Sequence, residues 1–202
     1  ECQFQTQSSS CVLYIHIMIY FDHIASNLNI KPAFEELMRN LDLFAPHTKY
    51  KKIAPALEEV ESIHLRIHPS GDYTSRTNDE IWDAKDLADQ AAISVIDSNA
   101  YSKLPTARKL IEHAMTLIPA GVMGRAYISR LSPGGKIYPH VDPGAYFHIH
   151  NRYHIVLDTN PQVEFFTETE NIKCRPGELW RFNNRAKHWG ENKGSTDRYH
   201  II

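Results

Sequence analysis

Three residues in the second half of this 202-residue chain have the types and the spacing of metal ligands. His140 and Asp142 are separated by one residue, and His188 lies 46 residues after Asp142 (188 − 142). Two neutral imidazoles and one carboxylate can occupy one face of an octahedral Fe(II) ion and leave three coordination positions open. A close pair and a distant histidine can meet only if a sheet folds back on itself. The spacing therefore predicts a metal site on a folded sheet.

The sequence around these residues predicts such a sheet. From residue 124 onward, short alternating segments are separated by turns that contain proline, glycine or asparagine. Many short strands at even spacing are typical of a sandwich or jelly roll. The predicted strands cover residues 125–131, 136–141, 152–157, 163–167, 179–183 and 198–202.

The residues before this sheet are predicted to supply helices and supporting strands. Pro32 fits the first turn of a helix, and Thr106 is a suitable cap at the start of another. Helices that come first and strands that come later imply an antiparallel barrel with helices packed on one side, a mainly β fold with flanking helices. The predicted elements are a helix at 29–44, a strand at 60–68, a long polar loop at 72–92 that carries Trp82, and a helix at 106–118.

The bulk composition indicates one globular domain over residues 1–202. Hydrophobic residues make up 42% and charged residues 23% of the chain, which is ordinary for such a domain. Within it, we predict a flexible lead at 1–10, the helices and supporting strands at 11–123, and the jelly-roll half at 124–202. The apolar run at 11–21 is too short to cross a bilayer and is predicted to be a strand or an irregular segment.

Charge and cysteine content narrow the possible partners and the compartment. A formal net charge of −2 argues against a nucleic-acid or membrane-surface protein. Cys2, Cys11 and Cys174 are odd in number and lack metal-site or redox spacing, which favours a reducing compartment. A signal peptide would carry basic residues before its apolar segment, and positions 1–10 contain none. We therefore predict a cytoplasmic protein. Nothing in the sequence indicates an oligomeric state.

A set of short motifs in fixed order gives the second half a family resemblance. The order is R-x-S-P-G-G, H-x-D, R-Y-H, P-G-E-L-W, and then a histidine followed ten residues later by an arginine. With these motifs, residues 124–202 resemble the aspartyl/asparaginyl β-hydroxylase family of Fe(II)/2-oxoglutarate oxygenases, which includes free-proline hydroxylases. The resemblance implies a double-stranded β-helix, a cupin-like jelly roll. It also implies iron held by His140, Asp142 and His188.

The resemblance also implies how the cosubstrate 2-oxoglutarate is bound. Arg198 corresponds to the family arginine that holds the distal carboxylate, and a guanidinium makes paired charge-assisted bonds that a lysine would not reproduce. Arg152 and His154 lie on the same side of one strand and are implied contacts of the proximal carboxylate. Ser129 resembles a family serine that helps to hold the distal carboxylate.

The reaction implied by the resemblance is hydroxylation of an amino acid, free or within a peptide. 2-Oxoglutarate and O₂ are consumed, succinate and CO₂ are released, and a hydroxyl group replaces a C–H hydrogen of the substrate. Asp142 favours the free-proline hydroxylases, because the branch that hydroxylates EGF-like domains lacks this carboxylate. The predicted substrate contacts are Arg66, Trp82, Tyr138 and Tyr146.

Two alternatives come from other classes of protein. His148 and His150, with His154, could form the three-histidine metal site of another jelly-roll enzyme, such as a dioxygenase or an isomerase. A jelly roll can also be a non-catalytic binding module. Arg198 favours the 2-oxoglutarate enzyme over the first alternative, because those reactions need no 2-oxoglutarate. The intact set of two histidines, one aspartate and two arginines argues against a non-catalytic module, which has no reason to keep them at these spacings. His200 shares a strand face with Arg198 and either lines the pocket or packs in the core.

Overall fold

The computed structural model describes residues 20–44, 55–67, 95–119, 121–142 and 145–202. None of the described helices is long and apolar enough to cross a membrane. The strands are β1 (Phe21–Ala25), β2 (Val60–Ile67), β3 (Ile96–Asp97), β4 (Ala126–Leu131), β5 (Lys136–His140), β6 (Arg152–Asp158), β7 (Val163–Thr167), β8 (Asn171–Ile172), β9 (Leu179–Phe182), β10 (His188–Asn192) and β11 (Arg198–Ile201). The α-helices are α1 (Lys31–Met38), α2 (Asn99–Ser102), α3 (Pro105–Met115) and α4 (Ala145–Ile149), and 3₁₀ turns occupy Leu41–Leu43 and Pro55–Leu57.

The strands form two sheets in which every pairing is antiparallel. The larger sheet has the order β1-β9-β6-β11-β4-β2-β3, and the smaller has the order β5-β10-β7-β8. From β4 to β11 the chain passes back and forth between the two sheets, so that strands adjacent in sequence mostly lie in opposite sheets. This is the winding of a double-stranded β-helix. The predicted fold class, mainly β with flanking helices, is confirmed.

The two faces of the larger sheet have different characters, because side chains alternate along each strand. On one face, apolar residues such as Leu65, Ile128 and Ile201 pack against α1 and α3 in the main core. The other face carries polar side chains, including Tyr127, Ser129 and His154, and turns toward the smaller sheet. The helices therefore close one side of the larger sheet and leave its polar face as the wall of a cavity.

The predicted helices differ from the observed ones in their caps and lengths. Thr106 is not the cap of α3: Leu104 is the N-cap, and no side chain of its own caps the helix. The Glu36 carboxylate of α1 instead accepts from the backbone N of Thr106 at 2.9 Å and of Ala107 at 3.1 Å. A carboxylate at the N-terminus of a helix complements the helix dipole and accepts hydrogen bonds from N–H groups that would otherwise be unpaired. The helix predicted over 29–44 ends at Met38, where the Asn40 side chain donates to the Glu36 carbonyl.

The predicted strands agree with the observed ones to within about one residue at each end, with one exception that matters for the site. Strand β10 was not predicted, since its sequence HWGEN has no apolar alternation. Its Gly190 lies against Phe165, and a Cβ atom there would be 3.1 Å from that ring. The turn before β5 is as predicted: Gly134 has φ +78°, and Gly135 N donates to Ser132 O at 2.9 Å.

Residues 72–92, with Trp82, and most of the apolar run at 11–21 lie outside the described residues. Between the predicted strands at 136–141 and 152–157, the structure has a short helix, α4, which carries Tyr146. This helix ends three residues before β6, and its residues Tyr146, Phe147 and Ile149 line the cavity.

Candidate active site

Strands β5 and β10 of the smaller sheet, with the residues just after β5, bring the three predicted metal ligands together. His140 ends β5, His188 begins β10, and these two residues are directly opposite each other in the β5–β10 pairing. Asp142 follows two residues after β5, and its backbone N donates to Asn184 O at 3.1 Å. One ligand atom from each of the three side chains lies within 4.8 Å of the others.

Backbone carbonyls hold both imidazoles in the orientation that a metal ligand needs. His140 Nδ1 lies 2.7 Å from the Tyr138 carbonyl, and His188 Nδ1 lies 2.8 Å from the Ala186 carbonyl. A carbonyl can only accept, so each Nδ1 carries the proton and each Nε2 presents a bare lone pair. Two such nitrogens and a carboxylate oxygen form the donor set that suits Fe(II), and the site fits this ion.

The electrostatics of the site keep Asp142 and His188 in their metal-binding forms at neutral pH. Burial alone would raise the pKa of Asp142, but the Arg152 guanidinium and the neighbouring histidines outweigh it and lower the pKa below its usual value. Burial, together with Arg152, lowers the pKa of His188 to about 4. The carboxylate is therefore charged and the His188 imidazole neutral near pH 7.

Arg152 lies inside the metal site itself. Its Nη2 is 2.5 Å from Asp142 Oδ2, and its Nη1 is 3.4 Å from His188 Nε2. The side chain is only 12% exposed, and Asp142 offsets the cost of burial and raises the pKa of the guanidinium. Its predicted role as a contact of the proximal carboxylate stays a prediction, and its position beside the metal donors is compatible with that role.

Arg198 occupies the deep end of the same cavity. It is completely buried, and its Nη1 donates to Ser129 Oγ at 3.2 Å. Among the described residues, its Nε and Nη2 have no hydrogen-bond partner, and no carboxylate lies within 4 Å of it. Burial lowers the pKa of Arg198 to about 10, which still leaves it charged at neutral pH. The predicted roles of Arg198 and Ser129 at the distal carboxylate stay predictions, and their hydrogen bond is compatible with those roles.

His154 and His200 form a buried pair between Arg152 and Arg198. Their Nδ1 atoms are 3.2 Å apart, and His154 stacks on Phe182 with ring centroids 3.9 Å apart. His154 lines the cavity beside Arg152 and Arg198, whereas His200 lies behind it and does not line the cavity. Of the two roles considered for His200, the structure has the packed histidine.

The cavity has a volume of about 1140 Å³ and includes three of the four predicted substrate contacts. Arg66 lines it, but its Nε is 3.1 Å from Asp97 Oδ1 and its Nη1 donates to a backbone carbonyl. Tyr138 lines its mouth and donates to Glu59 at 2.6 Å. Trp82 lies outside the described residues.

The third contact, Tyr146, belongs to a cluster on α4 that the sequence did not reveal. Its hydroxyl accepts from the backbone N of Arg125 at 2.6 Å, and the Arg125 guanidinium lies 4.1 Å from its ring centroid. His150 stacks on the same ring with centroids 4.0 Å apart. Gly124 makes room for this cluster, because a Cβ atom there would be 2.2 Å from the Tyr146 oxygen.

Sequence analysis also missed Tyr127 and Arg125 as cavity residues. Burial raises the pKa of Tyr127, and the charges that act on it are Arg152, Asp142 and Arg198. A signal for Tyr127 was present: it is two residues before Ser129 on a predicted strand and must share its face. Arg125, the first residue of the predicted strand 125–131, is two residues before Tyr127 and offered the same signal.

The three-histidine alternative is not supported by the described residues. His150 Nδ1 is 3.0 Å from the Tyr146 carbonyl, and His154 is paired with His200. The side chain of His148 lies outside the described residues. Among the groups that the structure describes, the only close trio of metal-ligating side chains is His140, Asp142 and His188.

Comparison with known proteins agrees with this geometry. The sequence profile of the aspartyl/asparaginyl beta-hydroxylase family matches residues 47–202, about three quarters of the chain. The chain belongs to this family. It is therefore a non-haem iron hydroxylase that uses Fe(II), 2-oxoglutarate and O₂, as the motifs predicted. A comparison with curated proteins finds no match.

Several solved structures are similar to this aspartyl/asparaginyl β-hydroxylase family member at low identity. A viral collagen prolyl hydroxylase from Paramecium bursaria Chlorella virus-1, in complex with 2-oxoglutarate, is 12% identical, with 91% of this chain and 93% of that chain covered and a TM-score of 0.44. A Pseudomonas putida prolyl-4-hydroxylase is 14% identical, with 90% and 89% covered and a TM-score of 0.44. A 2OG-Fe(II) oxygenase family oxidoreductase from Burkholderia pseudomallei is 12% identical, with 88% and 90% covered and a TM-score of 0.42.

Proposed function

We propose that this hydroxylase acts on an unactivated C–H bond of an amino acid, free or within a peptide. In this proposal His140, Asp142 and His188 hold the iron, and Arg198 with Ser129 holds the distal carboxylate of 2-oxoglutarate. Arg152 and His154 lie between them and contact the proximal part of the cosubstrate. When bound, iron and O₂ supply the oxidising chemistry, and the residues of the chain bind, orient and exclude water.

A single observation carries the cosubstrate assignment: Arg198 is a fully buried cation without a carboxylate partner among the described residues. An unpaired charge in a dry site costs several kcal/mol, on the order of what a broken buried ion pair costs. Its Nε and Nη2 atoms are the open edge of a fork that suits a planar carboxylate. An anionic ligand that extends from the metal donors to this fork would satisfy it.

The orientation of the other polar groups supports a dicarboxylate in that position. Ser129 Oγ accepts from Arg198, which leaves the serine hydroxyl proton available to a second acceptor. Tyr127, on the same face of β4, places a neutral phenol among the charges of Arg152 and Arg198. The deep end of the cavity thus offers donors and positive charge and, apart from the metal ligand Asp142, no described carboxylate.

The proposed substrate class rests on the family and on the character of the cavity mouth. The family description refers to aspartyl and asparaginyl residues, which are amino acids within polypeptides. The carboxylate Asp142 in the ligand set favours free amino acids as well. Arg66, Arg125, Tyr138 and Tyr146 line the cavity beyond the cosubstrate residues and are the proposed contacts of the polar backbone of the substrate.

The proposal includes three statements about the setting of the protein. Residues 1–202 form one oxygenase domain, with 124–202 as its catalytic half. The partners are small molecules or peptides, since a net charge of −2 does not favour nucleic acid or anionic membranes. A reducing, cytoplasmic location is favoured by the cysteine content, and Cys174 is a free, buried thiol.

The decisive test is product analysis with labelled oxygen. Protein loaded with Fe(II) is supplied with 2-oxoglutarate, ¹⁸O₂ and a panel of free amino acids and short peptides. We expect one member of the panel to stimulate succinate formation and to gain one ¹⁸O atom, in equal amounts. Succinate formation with no hydroxylated member would reject the substrate class, and failure to bind 2-oxoglutarate would reject the cosubstrate site.

A further inference from the structure

The His154–His200 pair is a buried hydrogen bond between two side chains of the same kind, and this raises the question of which ring donates. His154 is 3% exposed and His200 is completely buried. Their Nδ1 atoms are 3.2 Å apart, and the rings are nearly perpendicular at 89°. Both Nε2 atoms are buried and have no hydrogen-bond partner among the described residues. Phe182 and Phe165 pack against the rings and prevent them from turning freely.

Both imidazoles are neutral, so the pair contains exactly two N–H groups. Burial is the largest cause that holds the pKa of each ring well below its ordinary value, and the positive charge of Arg198 acts on both in the same direction. A neutral imidazole has one donor and one acceptor. One ring must therefore donate from Nδ1, and the other must carry its proton on Nε2.

Two arrangements are possible, and they differ in where an unpaired N–H is left. If His154 donates, the proton of His200 is on Nε2, inside the closed core, where no partner can reach it. If His200 donates, the unpaired N–H is on His154 Nε2, and His154 is the member of the pair that lines the cavity. A buried donor without a partner is rarer and more costly than a buried acceptor without one. The second arrangement is therefore the stable one whenever a ligand in the cavity supplies an acceptor.

We propose that His200 is a positioning residue: its Nδ1–H donates to His154 Nδ1 and thereby fixes His154 as an Nε2–H donor toward the cosubstrate. His154 lies near Arg152 and His188 on one side and Arg198 on the other. A carboxylate of a ligand that spans these groups would accept the bond. The assignment rests on the proposed function, because it takes the ligand to be 2-oxoglutarate, and it adds a residue that touches no ligand.

The first test reads the tautomers directly. The Zn(II)-loaded protein, labelled with ¹⁵N in its histidines, is examined by NMR with and without 2-oxoglutarate, and the His154 and His200 signals are assigned with single substitutions. We expect the proton on Nδ1 of His200 and on Nε2 of His154, with the Nε2–H of His154 shifted when 2-oxoglutarate binds. A proton on Nδ1 of His154 would overturn the proposal whatever the activity of the protein.

The second test uses binding of 2-oxoglutarate to the Zn(II)-loaded variants. His200→Leu removes the donor, and we expect a Kd about ten- to a hundredfold higher, the usual effect of losing one bond to a charged group. His200→Asn places an amide N–H near the Nδ1 position and should stay within about threefold of the parent. Tyr199→Phe on the opposite face of β11 is the matched control and should leave Kd unchanged, because the Tyr199 hydroxyl bonds to Asp197 and Arg130, away from the cavity, and its ring packs in the main core.

A double variant separates a tautomer effect from a general loss of structure. His154→Gln presents an amide N–H near the Nε2 position without needing a partner to set it. In that background His200→Leu should weaken 2-oxoglutarate binding less than about twofold, since the two residues act as one unit. An equal loss in both backgrounds would overturn the proposal. If the parent protein itself binds no 2-oxoglutarate, the proposed function fails instead, and the NMR result then stands alone.

Discussion

The deep end of the cavity and its mouth are built in different ways. At the deep end, Ser129, His154 and Arg198 lie on neighbouring strands of the larger sheet and are 1%, 3% and 0% exposed. At the mouth, Val122, Tyr138, Val141 and Ile149 are 79%, 39%, 46% and 51% exposed. All but Tyr138 lie between strands rather than on them. The ligand that every reaction needs is thus assigned to the buried part of the cavity, and the substrate to the exposed part.

This difference has an energetic consequence. Charges and hydrogen bonds at the deep end act in a dry environment and are strong, and each loses much when its partner is removed. Contacts at the mouth compete with water and contribute less. Substitutions at the deep end should therefore strongly weaken the binding of iron and 2-oxoglutarate. Substitutions at the mouth should weaken only the binding of substrate, and by less.

The largest effect is expected for His188→Ala. The variant lacks one of the two oriented imidazoles and leaves only His140 and Asp142 to hold the ion, so bound Fe(II) and turnover should both be lost. Metal content by elemental analysis and succinate formation measure this. The exposed His113→Ala is the matched control and should keep both. Full metal content and turnover in His188→Ala would mean that the ligand set is misassigned.

The next effect concerns the fork of Arg198. Arg198→Lys keeps the positive charge and removes the planar pair of donors, so the KM for 2-oxoglutarate should rise about tenfold to a hundredfold, as expected for one lost charge-assisted bond. Binding of Fe(II) should be unchanged. Arg181→Lys, a substitution on β9 where the side chain pairs with Asp22, is the control. An unaltered KM would transfer the distal-carboxylate role to another residue.

Much of the deep end could be predicted from the sequence because its chemistry fixes residue types and strand periodicity fixes faces. His140, Asp142 and His188 were found from residue types and spacing, Arg198 was found through the family resemblance, and the structure brings all four to one cavity. Strand β10 was not, because its Gly190 is required by contact with Phe165 of β7, which is a tertiary fact. His188 could be predicted as a metal ligand from the sequence, but strand β10, which carries it, could not be predicted.

The partners of polar groups were the part that local patterns could not supply. Arg66 lines the cavity as a predicted substrate contact, and no local pattern indicated that its guanidinium is also held by Asp97 and by the carbonyl of Met123, far away in the sequence. The N–H groups at the start of α3 are capped by Glu36, about 70 residues earlier, rather than by the adjacent Thr106. Sequence patterns report the face of a residue, whereas such long-range pairs depend on how the elements pack.

A third prediction concerns the pH dependence of stability and belongs to the deep end. His154 and His200 have a pKa well below 6.5 when folded, and the pKa of His188 is about 4. Below pH 6.5 the unfolded chain binds protons at these positions and the folded protein does not. Stability is therefore unaffected by them above about pH 6.5 and falls as the pH decreases from there, by up to about 1.4 kcal/mol per pH unit for each histidine.

Denaturant unfolding of the metal-free protein between pH 7 and pH 5 measures this slope. His200→Asn removes one of the three histidines, so its slope should be smaller than that of the parent by up to about 1.4 kcal/mol per pH unit. The exposed His113→Asn should leave the slope unchanged. A parent slope equal to that of His200→Asn would mean that His200 is protonated in the folded protein or exposed to solvent.

The smallest effect is expected at the mouth, for Tyr146→Phe. The substitution removes the hydrogen bond from Arg125 N to the Tyr146 hydroxyl but keeps the ring that stacks on His150. The α4 cluster should close less firmly over the cavity, so the KM for the amino-acid substrate should rise about threefold, the effect of less than 1 kcal/mol. The ratio of succinate formed to substrate hydroxylated should also rise, because a poorly closed site admits water. The control is Tyr101→Phe, at a buried tyrosine of α2 whose hydroxyl has no hydrogen-bond partner among the residues that the structure describes. If Tyr146→Phe instead weakens 2-oxoglutarate or Fe(II) binding as strongly as the deep-end variants do, the mouth and the deep end are one unit, and the separation of substrate from cosubstrate contacts is wrong.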